Sequence, residues 1–137
     1  MKTTATAPGS RGPAEIAARG TFPPNIGSFL SETTALDVIV ERLVNALDPQ
    51  AIWLFGSRAR GDHKPWSDFD LMVVAKPDRR FGPPGSDEYW EVYKPTRDTG
   101  VACDVVPCDA EYFEVGKLLN TSFVARVVSE GREVYRA

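Results

Sequence analysis

Three aspartates stand where an aspartate has no ordinary business. Asp68 and Asp70 fall two apart in Ser67-Asp68-Phe69-Asp70-Leu71, and Asp104 lies inside the apolar run Ala102-Cys103-Asp104-Val105-Val106. Strands disfavour aspartate. Residues two apart on a strand share a face, so Asp68 and Asp70 project together while Phe69, Leu71 and Val73 turn to the opposite side. Two like charges about 4 Å apart repel by roughly 4 kcal/mol at an effective dielectric of about 20, and a third acid adds to this. Either a carboxyl stays protonated or a cation sits among them. With oxygen ligands alone, Mg²⁺ or Mn²⁺ is the natural guest. The plainer alternative is a solvated edge strand with its acids facing water.

Mg²⁺ held by carboxylates usually also binds substrate phosphates. Phe55-Gly56-Ser57-Arg58-Ala59-Arg60-Gly61 has parts suited to them. Gly56 permits a tight turn and close backbone approach. The amide and hydroxyl of Ser57 can donate to a phosphate. Arg58 and Arg60 add positive charge, with a solvated turn or an ion pair to the acids as the competing reading. No Gly-Lys-Ser/Thr follows, so this is not a Walker loop. Trp66 and Trp90 are candidates to touch a base or a partner, and Lys117 to reach a triphosphate. Core or surface packing is the competing role, and His63 and Lys64 read as surface.

The elements that must carry these residues follow from periodicity. Leu36, Ile39, Val40, Leu43 and Leu47 recur at helical spacing behind Thr34, which predicts a helix over 34–47 that stops before Pro49. Ala51–Phe55 reads as a buried strand ended by Gly56. A polar loop covers 57–67, a second strand 68–74, and a Pro/Gly-rich loop 77–85. Ser86 caps a helix through about Tyr93, and a third strand covers 101–106. Asp109 caps a helix over 110–119, and Asn120 or Thr121 a last one through Glu130 that Gly131 stops. Residues 133–135 form a small edge strand. Alternating helices and strands indicate an α/β or α+β sheet domain.

Gly56-Ser57-Arg58-Ala59-Arg60-Gly61, then Asp68-Phe69-Asp70 and the later lone Asp104, resembles the signature of the DNA polymerase β-type nucleotidyltransferase superfamily, and most closely its minimal nucleotidyltransferase (MNT) domains. The resemblance covers about residues 34–135. It implies an α+β fold with a small mixed sheet and helices packed on one side. It implies that Asp68, Asp70 and Asp104 are catalytic and bind two Mg²⁺ (or Mn²⁺) ions, Asp104 also helping to deprotonate the acceptor. Gly56, Ser57 and Arg58 would bind the phosphates of ATP or another nucleoside triphosphate. The reaction would transfer a nucleoside monophosphate to a hydroxyl by two-metal chemistry. Single-domain members often pair as antitoxins with a small helical HEPN protein and can place AMP on it. A non-catalytic module that neutralises a partner by binding is the alternative, and transfer to an aminoglycoside a lesser one.

Composition sets the remaining bounds. The 137 residues suit one domain, and 42% are hydrophobic. Lys plus Arg is 16 and Asp plus Glu 19, a net charge of −3 that argues against a long nucleic acid as acceptor. A single histidine, His63, excludes a multi-histidine zinc site. No apolar run approaches the roughly 18 residues of a membrane span, and Met1–Ser10 has no signal-peptide core. Cys103 and Cys108 are too few for a disulfide framework, so a cytoplasmic location is expected. Residues 1–30 hold four prolines and four glycines. They read as a flexible arm with a short helix at 14–19, leaving 31–137 as the catalytic domain. No further nucleic-acid-binding or drug-binding domain is expected.

Overall fold

The structure, a computed structural model, describes residues 22–137. The helix expected at 14–19 lies outside them. Helix α1 spans Glu32–Leu47. Its N-cap is Ser31 rather than Thr34, because the Ser31 hydroxyl accepts the Thr34 amide at 3.1 Å. Asp48 closes it in the left-handed conformation, φ 47°, with Lys76 and Arg79 on its carboxylate. Strand β1 is Ala51–Phe55. The loop expected after it begins with one helical turn, α2, Ser57–Arg60. Strand β2 covers Phe69–Val74, leaving Asp68 just ahead of it.

Helix α3 is short, Asp87–Trp90, and runs into a 3₁₀ segment, Glu91–Thr96, where Pro95 is tolerated. Strand β3 is Cys103–Cys108, two residues later than expected. It can hold Pro107 because it lies at the sheet edge, where a missing N–H breaks no ladder. Helices α4, Ala110–Lys117, and α5, Phe123–Glu130, follow, the latter capped by Ser122. Gly116 lies so close to Val124 that a Cβ would stand 2.7 Å from that side chain, which lets the two helices meet. Strand β4, Arg132–Arg136, ends the chain's regular structure.

The sheet order is β3-β2-β1-β4, with β2 and β3 parallel and the other pairs antiparallel. This is the small mixed α+β sheet that the resemblance implied. Its helices cover both faces rather than one, as the strand alternation requires. Ile52, Leu54, Leu71, Val73 and Val105 pack under α1 with Ile39 and Leu43. Ala51, Met72, Val74 and Cys108 pack with Phe113, Val124 and Val127 of α4 and α5. Twelve large side chains are fully buried, among them Phe69 and Ile39. Each such burial contributes about 1.5–3 kcal/mol. The arm reading stops short of residues 22–31. Ile26 and Phe29 lie against the α1 core, Phe22 meets Trp66 at 5.4 Å, and Asn25 is hydrogen-bonded into the domain. No helix among the described residues is long and apolar enough to cross a membrane.

Candidate active site

The sheet's register brings the signature residues to one end. Phe55, the last residue of β1, is opposite Asp70, and Asp70 is beside Asp104 on the parallel neighbour. Adjacent strands lie about 4.8 Å apart, so the two carboxylates are neighbours. Asp68 sits two residues before Asp70, exposed like Asp104, while Asp70 is half-buried. Asp70 titrates above the ordinary carboxyl value of 3.8. Partial burial is the main cause, and the charges of Asp104 and then Asp68 add to it. Arg60 acts in the opposite sense. The two flanking acids therefore act on the one between them.

Gly56 makes this corner feasible. Its φ of 72° and ψ of −158° fall in a region open essentially to glycine. A Cβ there would run into the Asp70 carboxylate. The Gly56 carbonyl accepts from the amides of Ala59 and Arg60, both at 3.1 Å, closing the one-turn helix. Its leading amides, at Ser57 and Arg58, are those a helical turn leaves without internal partners, and they follow directly on Gly56, which lies against the Asp70 carboxylate.

The two arginines of this turn diverge. Arg58 is buried, 6% exposed. Its guanidinium donates to the Ser67 carbonyl through Nε at 3.0 Å and Nη2 at 2.9 Å, and to the Pro65 carbonyl at 2.9 Å. It also pairs with Glu32 at 3.0 Å and lies 4.1 Å over the Phe69 ring. The phosphate contact expected of Arg58 is therefore corrected, since its donors are engaged inward. It is a strut between α1 and the loop leading to Asp68. Arg60 is the exposed one, weakly held by Asp62 and Glu130, both at 3.3 Å. His63 shares Glu32 with Arg58, at 3.2 Å, and Lys117 pairs with Glu114 at 2.9 Å. Trp66 and Trp90 are exposed, and Trp90 stands 5.6 Å from Tyr93.

A divalent ion suits this donor set in one respect and strains it in another. All three groups are hard oxygen donors, and the charges of Asp104 and Asp68 disfavour that of Asp70, which a cation relieves. Among the described residues, however, no three acidic, histidine or cysteine side chains are already drawn into a cage. The site is open on one side, as fits an ion whose remaining ligands come from solvent and substrate oxygens. The thiol of Cys103, at the start of β3, is pushed up to about 12, mainly by burial.

A family model described as a nucleotidyltransferase domain matches residues 36–134, enclosing the turn and all three acids. The chain belongs to the nucleotidyltransferase family. This nucleotidyltransferase is similar in structure to a proposed nucleotidyltransferase from Sulfolobus solfataricus, with 23% identity, 72% of this chain and 74% of that chain covered, and a TM-score of 0.48. It is similar to a toxin-antitoxin crystallised with AMP-PNP at 23% identity, 72% coverage of both chains and a TM-score of 0.46. A point mutant of the toxin-antitoxin MntA-HpeT matches at 23% identity, with 80% of this chain and 75% of that chain covered and a TM-score of 0.44. No curated protein sequence matches the chain.

Sequence reasoning missed the inward course of Arg58 and the Glu32 it pairs with. Both arginines of Arg58-Ala59-Arg60 look alike in sequence, and only the fold separates them. Glu32 carried no signal beyond its place near a helix start.

Proposed function

We propose that this enzyme transfers a nucleoside monophosphate, AMP from ATP, to a hydroxyl on a partner protein, the hydroxyl oxygen bonding to the α-phosphorus as the α–β bridge breaks and pyrophosphate leaves, with Asp68, Asp70 and Asp104 as metal ligands. The observation that carries the reading is Asp70 held beside Asp104 and against the Gly56 turn at one end of the sheet. The Ser57 amide and hydroxyl hold the triphosphate's outer phosphates, and Arg60 swings from its two weak pairings toward them. Asp104, exposed at the outer strand, orients the acceptor hydroxyl and takes up its proton. Bound divalent ions supply charge neutralisation and a lowered pKa at that hydroxyl. Positioning and electrostatics at the reacting phosphate provide most of the rate.

A partner protein is supported by the outer face of α4 and its following turn. Tyr112, Val115, Leu118 and Leu119 are all more than half exposed, a contiguous apolar stripe of the kind that marks association. We infer a helical partner, of the HEPN type that the resemblance implies, in an antitoxin role. A cytoplasmic setting fits the two free thiols.

The test is label transfer. The protein is incubated with Mg²⁺, a partner and α-³²P-ATP, beside γ-³²P-ATP and an Asp70→Asn variant. Alpha label on the partner, absent with gamma label and with the variant, is the expected result. No transfer, with partner binding kept by the variant, would leave a binding module instead.

A further inference from the structure

Asn25 lies on the segment preceding α1, outside the motif and outside the matched family region. Its side-chain amide nitrogen donates to the Ser67 carbonyl at 3.0 Å and to the Ala102 carbonyl at 2.9 Å. Its side-chain oxygen accepts the Ala102 amide at 2.7 Å. Its own backbone amide donates to the Pro65 carbonyl at 2.9 Å. Ser67 is the residue before Asp68, and Ala102 is two residues before Asp104. One side chain thus bonds both approaches to the acidic cluster.

The geometry has a specific logic. The Phe69 amide donates to the Ala102 carbonyl at 3.1 Å, at the start of the β2–β3 pairing. Beyond that point the two chains have left the ladder. Asn25 inserts its amide group there and pairs with the N–H and C=O of Ala102, as a strand residue would. Only a short primary amide offers a donor pair and an acceptor at this reach. Aspartate would set an oxygen against two carbonyls. Arg58 approaches the Ser67 carbonyl as well, so that oxygen is fixed by two side chains. The segment carrying Asn25 is itself seated. Gly27, at φ 58°, packs so closely on the turn before β3 that a Cβ would lie 2.6 Å from the Thr99 carbonyl. Phe29 closes a turn onto Ile26 at 3.0 Å.

We propose that Asn25 is a positioning residue of the active site, setting the separation between Asp68 and Asp104 by clamping the backbone that leads to each. It rests on the metal-binding role given above to those acids. Residues 22–31 are then part of the catalytic scaffold. Partners of metal ligands typically change affinity about 10–100-fold when removed.

The test uses the full chain, Mn²⁺ and α,β-methylene-ATP, with free Mn²⁺ read by electron paramagnetic resonance. Asn25→Ala should weaken Mn²⁺ binding about tenfold, and in a parallel assay with ATP in place of the analogue, saturating Mn²⁺ should restore most of the transfer rate. The Phe69 amide should exchange faster, relative to amides in the middle of β1 and β2. Val127→Ala, in the core where α5 packs on the sheet, serves as the control for thermal destabilisation. Unchanged Mn²⁺ affinity or unchanged Phe69 protection in Asn25→Ala would overturn the proposal. So would an equal Mn²⁺ loss in the Val127 variant. A wild-type chain that binds no Mn²⁺ would instead refute the functional reading, and Phe69 exchange would still decide whether Asn25 clamps the two strands.

Discussion

Asp70 carries the strongest conflict between folding and function. Its carboxyl is half-buried between two other acids, and its folded-state pKa lies above 3.8. A raised acid binds its proton more tightly in the folded than in the unfolded chain. Its contribution to stability therefore falls as pH rises from about 4 through the raised folded value. Asp70→Asn removes that penalty. We expect the variant to melt above wild type at pH 7, with the difference vanishing as pH falls below both the folded and unfolded values, and label transfer abolished. Melting curves across pH check the first part. A variant that melts lower at pH 7 would mean the carboxylate is stabilising there. Gly56→Ala is the converse case. Its backbone conformation and the collision with Asp70 cost about 1–3 kcal/mol, lowering both the thermal midpoint and the transfer rate.

The elements differ in how far sequence exposes them. Helix α1 and strand β1 were legible because their apolar spacing is long or uninterrupted, and the end at Leu47 matched. Asp70 was legible since an aspartate inside an apolar strand demands an explanation, whereas Asp68, expected on the same strand, falls just ahead of it. The one-turn α2 was hidden, being four residues with no period to read. Strand β3 slid by two because Pro107 looks like a terminator unless the strand is known to be an edge. The clamp around Ser67 was invisible, being assembled from residues 25, 32, 58 and 102. That clamp makes a prediction about the loop before β2. Arg58→Ala strips three charge-assisted bonds from two carbonyls and leaves Glu32 with His63. A destabilisation of about 3 kcal/mol is expected, read by urea unfolding. Arg58→Lys should recover little, since one ammonium cannot reach both carbonyls in the guanidinium's fork. Full recovery by lysine would show that only the charge mattered.

The whole molecule is acidic, with a net charge of −3, and the proposed site gathers Asp68, Asp70 and Asp104 at one end of the sheet. Free ATP is a tetra-anion at neutral pH, so this end repels it. Among the described residues, Arg60 is the cation acting on Asp70, and it is shared with Asp62 and Glu130. The phosphates therefore need more counter-charge than this end holds, and a divalent ion brings it while relieving the three carboxylates. Nucleotide binding and ion binding should be coupled, each strengthening the other. Stabilisation by a ligand follows RT ln(1 + [L]/Kd), about 2.7 kcal/mol at a hundredfold excess over Kd. Mg²⁺ with ATP should therefore raise the thermal midpoint by several degrees, while ATP in chelator, or Mg²⁺ alone at the same concentration, raises it little. The coupling should vanish in Asp70→Asn, because the ion then loses the ligand that joins β1's end to β3. Equal ATP shifts with and without chelator would place the triphosphate on Arg60 and the Gly56 turn alone, and the three acids would then have no part in holding it.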